Sequence, residues 1–402
     1  MGKNKKCVIV GVNSEMITPI YEKKIVILHN SNLHVLYLIV NRMKRVAIIG
    51  TQGVPARYGG FESLVENLIG DPTEVSYTVY CSSRDNLYRQ NTHKGAQLKF
   101  VPLRANGAQS VPYDMLCLLR SLVGYDVLLV LGVSGCLLLP VVRLLSRSKI
   151  VTNIDGLEHR REKWGWFAKL ILRWSEYLAV RFSHVVIGDN QGIVDYVRKN
   201  YGVEAKLITY GGDQAVDEIN ASKQSQLDEK YRNLAEVSYD ITVCRIEPEN
   251  NTDKILRAYV ACGQRLVVVG NWSHNEWGRR LMCEFKSQRN IVMLESVYDI
   301  NELYWLRGHA RCYLHGHSAG GTNPSLVEAM FFGKPILAFD VVYNRATTEN
   351  KALYWSTGED LRQLILQLDF GDVGARMREV AEKKYCWETI KRQYEELFLI
   401  EN

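Results

Sequence analysis

The stretch KRVAIIGTQGVPARYGGFESLVENLI, residues 44–69, indicates a strand, a glycine-rich turn and a helix in succession. The first six residues form an apolar run of strand length, and the glycines of 50–60 permit a tight turn. The residues after the turn place an apolar face on a helix, formed by Phe61, Leu64, Val65, Leu68 and Ile69. A backbone without Cβ atoms here serves either a tight turn alone or the close approach of a phosphate or sugar.

The same alternation of strand and helix patterns continues along the chain and predicts an α/β fold with parallel sheets covered on both faces. Predicted strands span 45–50, 75–81, 98–103, 126–132, 149–155, 184–189 and 205–211, and then 239–245, 265–271, 290–296, 311–316 and 334–340. Predicted helices span 61–69, 112–123, 136–146, 163–182 and 190–200, and then 251–262, 275–288, 299–308, 324–332 and 358–367. The polar segment 213–233 between the two runs predicts a linker or an exposed insertion.

These patterns predict two doubly wound, Rossmann-like domains facing across a cleft, a division that suits a chain of 402 residues. We assign 43–212 to the first domain and 213–374 to the second. A terminal helical segment, 375–402, has no strand after it and is free to pack back. Residues 1–42 lack a signal-peptide pattern, and Met43 opens a more natural start. We interpret 1–42 as an extension outside the core fold, such as an upstream start codon would add.

Composition narrows the class of protein. Apolar residues make up 47% and the net charge is +6, which suits an anionic ligand, an anionic membrane surface or nucleic acid without choosing among them. The nine cysteines include no CxxC pair, which indicates a reducing, cytoplasmic compartment and argues against a disulfide framework or zinc site. The apolar stretch 127–145 is interrupted by glycines and Pro140, so it predicts a buried strand, a loop and a helix rather than a membrane span.

Several common cofactor sites are missing from the sequence. The stretch GTQGVP lacks the GxGxxG spacing, and the second strand ends in Cys81-Ser82-Ser83 without an acidic residue for a ribose. No Gly-Lys-Ser/Thr follows the first strand either. NAD and ATP are therefore not expected in the first domain. The absence of a DxD motif argues against a metal–diphosphate clamp, so neither a metal nor another cofactor is expected.

The stretch HGHSAGGTNPSLVEAMFFGKPILAFD, 315–340, carries a second glycine loop followed by a helix. Gly320-Gly321-Thr322 is predicted to be flexible, with Thr322 or Asn323 as the helix cap, Pro324 in the first turn and Gly333 at the end. Glu328 is the lone carboxylate on this apolar helix. It either accepts hydrogen bonds from ribose hydroxyls while the helix N-terminus binds phosphate, or pairs with a core arginine or histidine.

Two further stretches carry candidate chemistry. In VCRIEPENN (243–251), Arg245 is placed to bind a diphosphate bidentately or to form a surface ion pair with Glu247. In TNIDGLEHRREKWGW (152–166), Asp155 and Glu158 are candidates to meet an acceptor hydroxyl. The helix that follows is basic and aromatic and is either a surface for lipid headgroups or an ordinary solvated helix. Its residues of interest are Arg160, Arg161, Lys163, Trp164, Trp166, Lys169, Arg173 and Trp174.

Together, VAIIGTQGVPARYGGFESLVENL, NIDGLEHRREKWG and HGHSAGGTNPSLVEAM resemble the two-domain glycosyltransferases of the GT-B fold, in the large retaining family numbered four. More narrowly, they resemble its bacterial rhamnosyltransferase-like branch, which builds capsule, O-antigen or exopolysaccharide units. The resemblance covers about residues 44–400, and YCWETIKRQYEELF is similar to the helix that crosses back to the first domain in such enzymes. It implies an acceptor in the first domain and a nucleotide-sugar donor in the second, with dTDP-rhamnose first and a UDP-hexose second.

The resemblance also implies a metal-independent hexosyl transfer to a lipid-linked glycan at the cytoplasmic membrane face, with no role for nucleic acid. It assigns the ribose contact to Glu328, the diphosphate to Arg245 and the 321–325 loop, and further loop contacts to Gly59 and Gly60. The donor-binding set is Gly59, Gly60, Arg245, Asn271, Gly321, Thr322, Asn323, Pro324, Ser325 and Glu328. The catalytic candidates are Asp155, Glu158 and Arg245.

Two features depart from the family pattern. Gly320 stands where the first glutamate of a Glu-x7-Glu pair would be, and EPENN replaces the lysine that usually follows the diphosphate-binding arginine. A UDP-sugar epimerase of the same fold and a catalytically degenerate membrane-surface scaffold are the alternative interpretations.

Overall fold

The computed structural model describes residues 23–28, 36–41, 43–56, 59–70, 74–154, 156, 165–217, 221–367 and 369–400. The chain divides into two units, Met1–Met43 and Lys44–Asn402. In the first unit, β1 (Lys23–Leu28) pairs antiparallel with β2 (Leu36–Asn41). The sequence analysis assigned no strand to this unit.

The first sheet of the second unit has eight strands in the order β10-β9-β8-β7-β3-β4-β6-β5. They are β3 (Lys44–Ile49), β4 (Val75–Ser82), β5 (Thr92–His93), β6 (Ala96–Val101), β7 (Val127–Leu131), β8 (Lys149–Ile154), β9 (Val185–Gly188) and β10 (Lys206–Leu207). Every pairing is parallel except that of β5 with β6. The chain order reverses beside β3, which lies between β4 and β7.

Helices cover both faces of this sheet. They are α1 (Gly60–Leu68), α2 (Ser110–Arg120), α3 (Leu139–Leu145), α4 (Trp166–Phe182) and α5 (Gln191–Tyr201). Side chains of α2, α3, α4 and α5 share one buried cluster with the strands, and α1 belongs to the cluster on the opposite face. This is the doubly wound arrangement that the alternating pattern predicts.

The second sheet has six parallel strands in the order β13-β12-β11-β14-β15-β16. They are β11 (Asp240–Val243), β12 (Leu266–Val269), β13 (Ile291–Leu294), β14 (Tyr313–His315), β15 (Ile336–Phe339) and β16 (Leu353–Trp355). The helices are α6 (Ala221–Lys230), α7 (Arg232–Ala235), α8 (Thr252–Cys262), α9 (Glu276–Phe285), α10 (Ile300–Gly308), α11 (Pro324–Phe331), α12 (Val342–Thr347) and α13 (Gly358–Ile365). Here the chain order reverses beside β11.

The C-terminal segment forms two helices rather than one. α14 (Val373–Lys384) packs in the core of the second domain, whereas α15 (Trp387–Leu399) packs in the core of the first. Tyr394 of α15 is fully buried there, and its hydroxyl accepts a hydrogen bond from Asn153 Nδ2 at 2.7 Å. The expected return of the C-terminal helix to the first domain is confirmed.

The interpretation of 213–233 as a linker or exposed insertion was wrong. This segment contains α6 and the start of α7, and its Leu227 and Tyr231 are buried in the core of the second domain. The sequence analysis also missed β16. The stretch 127–145 forms β7, a short turn and α3, as predicted, and no described helix is long and apolar enough to cross a bilayer.

Candidate functional site

The candidate site lies between the carboxyl ends of the two sheets, where the chain order of each sheet reverses. Gly50 follows β3 and Arg245 lies shortly after β11, so each stands at the reversal in its own sheet. Such crevices are where open α/β sheets bind ligands. The two edges approach closely, since a Cβ built on Gly60 would lie 3.3 Å from Cγ of Pro324. Residues of both domains therefore line one cleft.

The first glycine loop is held by a carboxylate from the helix that follows it. Glu62, buried in the first turn of α1, accepts hydrogen bonds from the Thr51 hydroxyl at 2.9 Å and the Gln52 amide at 2.8 Å. A Cβ on Gly59 would lie 2.6 Å from Oε2 of Glu62, and Gly59 has φ of +92°. Gly59 is thus required by the turn itself. The sequence analysis missed Glu62, although an acidic residue just after a glycine loop was a usable signal.

The second glycine loop is fixed to the first domain, whereas the sequence analysis expected a flexible loop. The Asp189 carboxylate, just after β9, accepts a hydrogen bond from the Thr322 amide at 2.9 Å, and the Asp189 carbonyl accepts one from the Thr322 hydroxyl. A Cβ on Gly321 would lie 2.1 Å from Oδ1 of Asp189. The amide of Thr322, predicted to bind diphosphate, is therefore engaged by a carboxylate of the first domain.

Asn190 extends this contact. Its Nδ2 donates to Oγ1 of Thr322 at 3.2 Å and to Oγ1 of Thr347 at 3.1 Å, and both Asp189 and Asn190 are buried. We call Asp189, Asn190, Gly321 and Thr322 the interdomain latch. The sequence analysis missed Asp189 and Asn190, because no local pattern connects them with a loop more than a hundred residues away.

The N-terminus of α11 has the predicted geometry. Of the two candidate caps, Asn323 is the one used: its Oδ1 accepts hydrogen bonds from the Ser325 amide at 3.3 Å and the Ser325 hydroxyl at 2.9 Å. Pro324 is the first helical residue, and Gly333, with φ of +62°, follows the end of the helix. The start of α11 faces the cleft beside Gly60, where an anion would meet the positive end of the helix dipole.

Arg245 and Asn271 lie beyond the carboxyl ends of the neighbouring strands β11 and β12. The Arg245 side chain is 38% exposed, and its Nη1 lies 3.8 Å from Oε1 of Glu247, so the ion pair weighed from sequence is present. Oδ1 of Asn271 accepts a hydrogen bond from the Ile246 amide at 2.7 Å. Its Nδ2 is buried without a hydrogen-bond partner among the described residues, which leaves a donor for a ligand oxygen.

Glu328 pairs with a buried arginine, the second of the two interpretations drawn from sequence. Arg307 of α10 donates from Nη2 to Oε2 of Glu328 at 2.6 Å, and the side chains are 4% and 20% exposed. Gln214 Nε2 donates to Oε1 of Glu328 at 3.0 Å. A ribose at Glu328 would have to share or displace these donors. The sequence analysis missed Arg307, although an arginine directly after Trp305 and Leu306 was a signal.

Gln214, a hydrogen-bond partner of Glu328, also bonds to the segment where the chain returns to the first domain. Oε1 of Gln214 accepts a hydrogen bond from Trp387 Nε1 at 2.6 Å, and the Trp387 amide donates to Asp213 at 2.8 Å. Trp387 is the first residue of α15, and Asp213 and Gln214 lie where the chain passes between the sheets. Arg307, Glu328, Gln214 and Trp387 thus form one chain of hydrogen bonds that runs from the second domain to α15.

Rings stack at the end of β14. The centroids of the His315 and His317 rings are 4.4 Å apart and the rings are nearly parallel, and the Tyr313 ring also stacks on His315 with a centroid distance of 6.1 Å. Neither nitrogen of His315 has a hydrogen-bond partner within the described part of the chain. Complete burial lowers the pKa of His315 to about 3, so the ring is neutral at neutral pH. No role for His315 or His317 was predicted from the sequence.

Asp155 and Glu158, the candidates for contact with an acceptor hydroxyl, lie outside the described residues, as do Arg160, Arg161, Lys163 and Trp164. Gly156, which is described, lies against the second glycine loop: a Cβ there would be 3.1 Å from Cα of Gly320.

Known proteins are similar to this chain over most of its length. A sequence-family profile described as Domain of unknown function (DUF1972) matches residues 43–213, and no curated protein matches. Sucrose-phosphate synthase from Thermosynechococcus elongatus is similar with a TM-score of 0.72 at 16% identity, over 88% of this chain and 98% of that one. HepE from Anabaena in complex with UDP-glucose has a TM-score of 0.68 at 16% identity, over 88% and 99%. The trehalose-6-phosphate structure from E. coli bound with UDP-2-fluoro glucose has a TM-score of 0.64 at 11% identity, over 89% and 100%.

This chain has the GT-B fold. Its two parallel sheets, the cleft between their carboxyl ends and the C-terminal helix that returns to the first domain agree with the expected fold class. At these identities the likeness establishes the fold alone. Within this fold, Gly60 of the first domain and the start of α11 in the second lie close together at the cleft.

Proposed function

We propose that the chain is a glycosyltransferase that moves a sugar from a nucleotide diphosphate donor to a hydroxyl of a glycan. The observation that carries this proposal is the cleft itself, in which the start of α11 faces Gly60 of the other domain. Arg245 supplies a partly exposed guanidinium at the reversal point of the second sheet. A helix N-terminus and an arginine at the carboxyl ends of the same sheet suit a diphosphate.

In the proposed reaction, the bond between the anomeric carbon and the diphosphate oxygen breaks, and its electron pair leaves with the diphosphate. A bond forms between that carbon and the acceptor oxygen, whose proton passes to a base. Arg245 and the start of α11 would stabilise the charge that develops on the diphosphate. The family resemblance favours retention of configuration without a metal, with the donor phosphate as the base. Asp155 and Glu158 are the protein candidates for that role.

For the donor, dTDP-rhamnose comes first by resemblance of the sequence blocks. A UDP-hexose is the second candidate, because HepE was solved with UDP-glucose and the E. coli structure with UDP-2-fluoro glucose. We propose a lipid-linked glycan as the acceptor, in capsule, O-antigen or exopolysaccharide synthesis at the cytoplasmic membrane face. Glu328 remains our candidate for the ribose contact. Gln214 is the donor most readily displaced from it, because the Gln214 amide is neutral whereas the Arg307 guanidinium is charged.

The test is an incubation of the full chain with dTDP-rhamnose or UDP-glucose and a lipid-linked acceptor fraction, followed by chromatography of nucleotides and lipids. The proposal predicts nucleoside diphosphate release that depends on the acceptor and a matching gain of sugar on the lipid. Arg245→Ala should lower turnover at least about tenfold, which equals roughly 1.4 kcal/mol. The matched control is Arg257→Ala, because Arg257 pairs with Glu284 outside the cleft and is 61% exposed.

Other outcomes would replace the proposal. Isomers of the sugar nucleotide without any acceptor would favour an epimerase of the same fold. Unchanged turnover in Arg245→Ala would remove the diphosphate assignment. If no donor is consumed, while cells carrying Glu328→Ala assemble glycan normally, a degenerate scaffold is the better interpretation.

A further inference from the structure

The outer face of α4 is aromatic, although it is not part of the core. Trp166 is 79% exposed, Phe167 61% and Trp174 57%. Leu170 and Tyr177 continue the same stripe at helical spacing, and both are more than two-fifths exposed. The opposite face of α4, which includes Leu172 and Ala179, is buried, and Ala179 shares a core cluster with the first sheet. The exposed aromatic side chains therefore need an explanation other than folding of this domain.

α3 adds to this surface. It neighbours α4 in the same helical layer of the first domain and exposes Leu144 by 84%, Leu145 by 61% and Val141 by 43%. The sequence predicted an apolar helix here, and the structure shows that the end of this helix is exposed. We call the combined surface the α3–α4 face. It consists of Val141, Leu144, Leu145, Trp166, Phe167, Leu170, Trp174 and Tyr177.

The exposed charges on the two segments that form the α3–α4 face have one sign. The segments 139–147 and 165–182 contain five basic residues, Arg143, Arg147, Lys169, Arg173 and Arg181. Their single carboxylate is Glu176, which is buried and accepts hydrogen bonds from the hydroxyls of Tyr196 at 2.9 Å and Tyr201 at 2.6 Å. The accessible charge on these segments is therefore positive.

We propose that the α3–α4 face is a docking surface for a membrane that contains anionic lipids. Tryptophan, tyrosine and leucine side chains suit the boundary between headgroups and acyl chains, and arginine and lysine suit anionic headgroups. α4 lies on the membrane rather than spans it, because no described helix is long and apolar enough to cross. A second copy of the chain is a poorer occupant, since a symmetric interface would bring the arginines of both copies together.

Membrane docking does not depend on the chemistry in the cleft. Docking would bring a lipid-linked acceptor to the enzyme, and this purpose rests on the proposed function. The test is flotation of the full chain with vesicles of phosphatidylcholine, with and without phosphatidylglycerol. The wild type should bind the anionic vesicles at least about tenfold more tightly than the neutral ones, and added salt should weaken that binding.

The variant Leu144→Glu/Trp174→Glu should lower binding to anionic vesicles at least about tenfold, because it removes apolar area and adds negative charge. The matched control is Leu87→Glu, since Leu87 is 70% exposed in the loop between β4 and β5. The control should bind as the wild type does. Circular dichroism and melting temperature should be unchanged in both variants, because every substituted side chain is already exposed.

Three outcomes would overturn the proposal. One is equal binding of the wild type to neutral and anionic vesicles, and another is no binding to either. The third is self-association of the wild type that Leu144→Glu/Trp174→Glu abolishes while vesicle binding stays the same, because the face would then join two copies. Loss of vesicle binding in a protein that consumes no nucleotide sugar would support docking and count against the proposed function alone.

Discussion

At the scale of single residues, Gly59 shows how a side chain three positions away dictates a glycine. Its φ of +92° and ψ of 164° lie in a region that glycine alone adopts readily, and Oε2 of Glu62 occupies the place of a Cβ. Gly59→Ala should lower the free energy of unfolding by roughly 2 kcal/mol or more, measured by urea denaturation. Gly202→Ala is the control, because Gly202 has φ of +66° and open space around it, and about 1 kcal/mol is expected. Equal losses would contradict the role of Glu62.

The pair of Glu328 and Arg307 makes a separate prediction. Glu328→Ala leaves the Arg307 guanidinium, 4% exposed, without its carboxylate, so the free energy of unfolding should fall by about 3 kcal/mol. The double variant Arg307→Met/Glu328→Leu removes both charges and should recover most of that loss. If the double variant is as unstable as Glu328→Ala, the ion pair is not what stabilises this site.

The same variants separate stability from binding. A ribose contact at Glu328 predicts that the stable double variant still binds the donor at least about tenfold more weakly, which equals roughly 1.4 kcal/mol. Normal donor affinity in the double variant would leave Glu328 with the structural role alone.

His315 makes the stability depend on pH. The pKa of His315 is about 3 in the folded chain and 6.5 in the unfolded chain. Between pH 6.5 and pH 3, only the unfolded chain therefore gains the proton. Stability contributed by the neutral ring is present above 6.5 and is lost as the pH falls toward 3, by about 2 kcal/mol at pH 5. His184, whose pKa is lowered to about 4 by burial and then by Arg143 and Lys149, acts in the same direction.

Urea denaturation between pH 7 and pH 5 checks this prediction. His315→Gln should show a shallower decline of the free energy of unfolding over that range than the wild type, whatever its stability at pH 7. Parallel declines in the two proteins would mean that the ring of His315 is not held neutral in the fold.

Residues governed by local rules were predictable from sequence. Asn323, Pro324 and Gly333 occupy the capping and terminal positions that their chemistry favours, and the structure confirms them. Glu62 and Arg307 were missed, because their importance comes from partners that local patterns do not reveal.

At the scale of elements, the interdomain latch determines how the second glycine loop behaves. The Thr322 amide is protected by the Asp189 carboxylate, so Asp189→Ala should make exchange of that amide with solvent faster by at least about tenfold. Hydrogen exchange resolved for the peptide around Thr322 measures this rate. Asp195→Ala is the control, because Asp195 is 59% exposed on α5 and should leave the exchange unchanged. Unchanged exchange in Asp189→Ala would show that the latch does not hold the loop.

Elements were predictable where apolar periodicity was strong. Most strands after Lys44 are buried, short and apolar, so their cores were found, with most ends shifted by one or two residues; β5, which is two polar residues long, was missed. α6 and α7 were missed because their segment offers few apolar anchors among many charges. β16 is only three residues long, which is too short for a periodic signal. The break between α14 and α15 was not predictable, because it follows from the packing of each helix on a different domain.

At the scale of the whole molecule, the central claim is that the cleft of this GT-B fold binds a nucleotide diphosphate sugar. The alternation of strands and helices predicted two domains, and the family resemblance predicted the return of the C-terminal helix. The proximity of Gly60 and Pro324 was not predictable, because it depends on how the two domains pack.

Binding of a nucleotide diphosphate in the cleft is best tested by thermal unfolding of the full chain with dTDP, UDP, GDP, ADP and NAD in turn. A nucleotide present at a hundred times its dissociation constant should stabilise the fold by about 2.7 kcal/mol. We predict stabilisation by dTDP or UDP that Arg245→Ala greatly reduces and Arg257→Ala leaves unchanged. Stabilisation by NAD alone, or by none of the five nucleotides, would contradict the account.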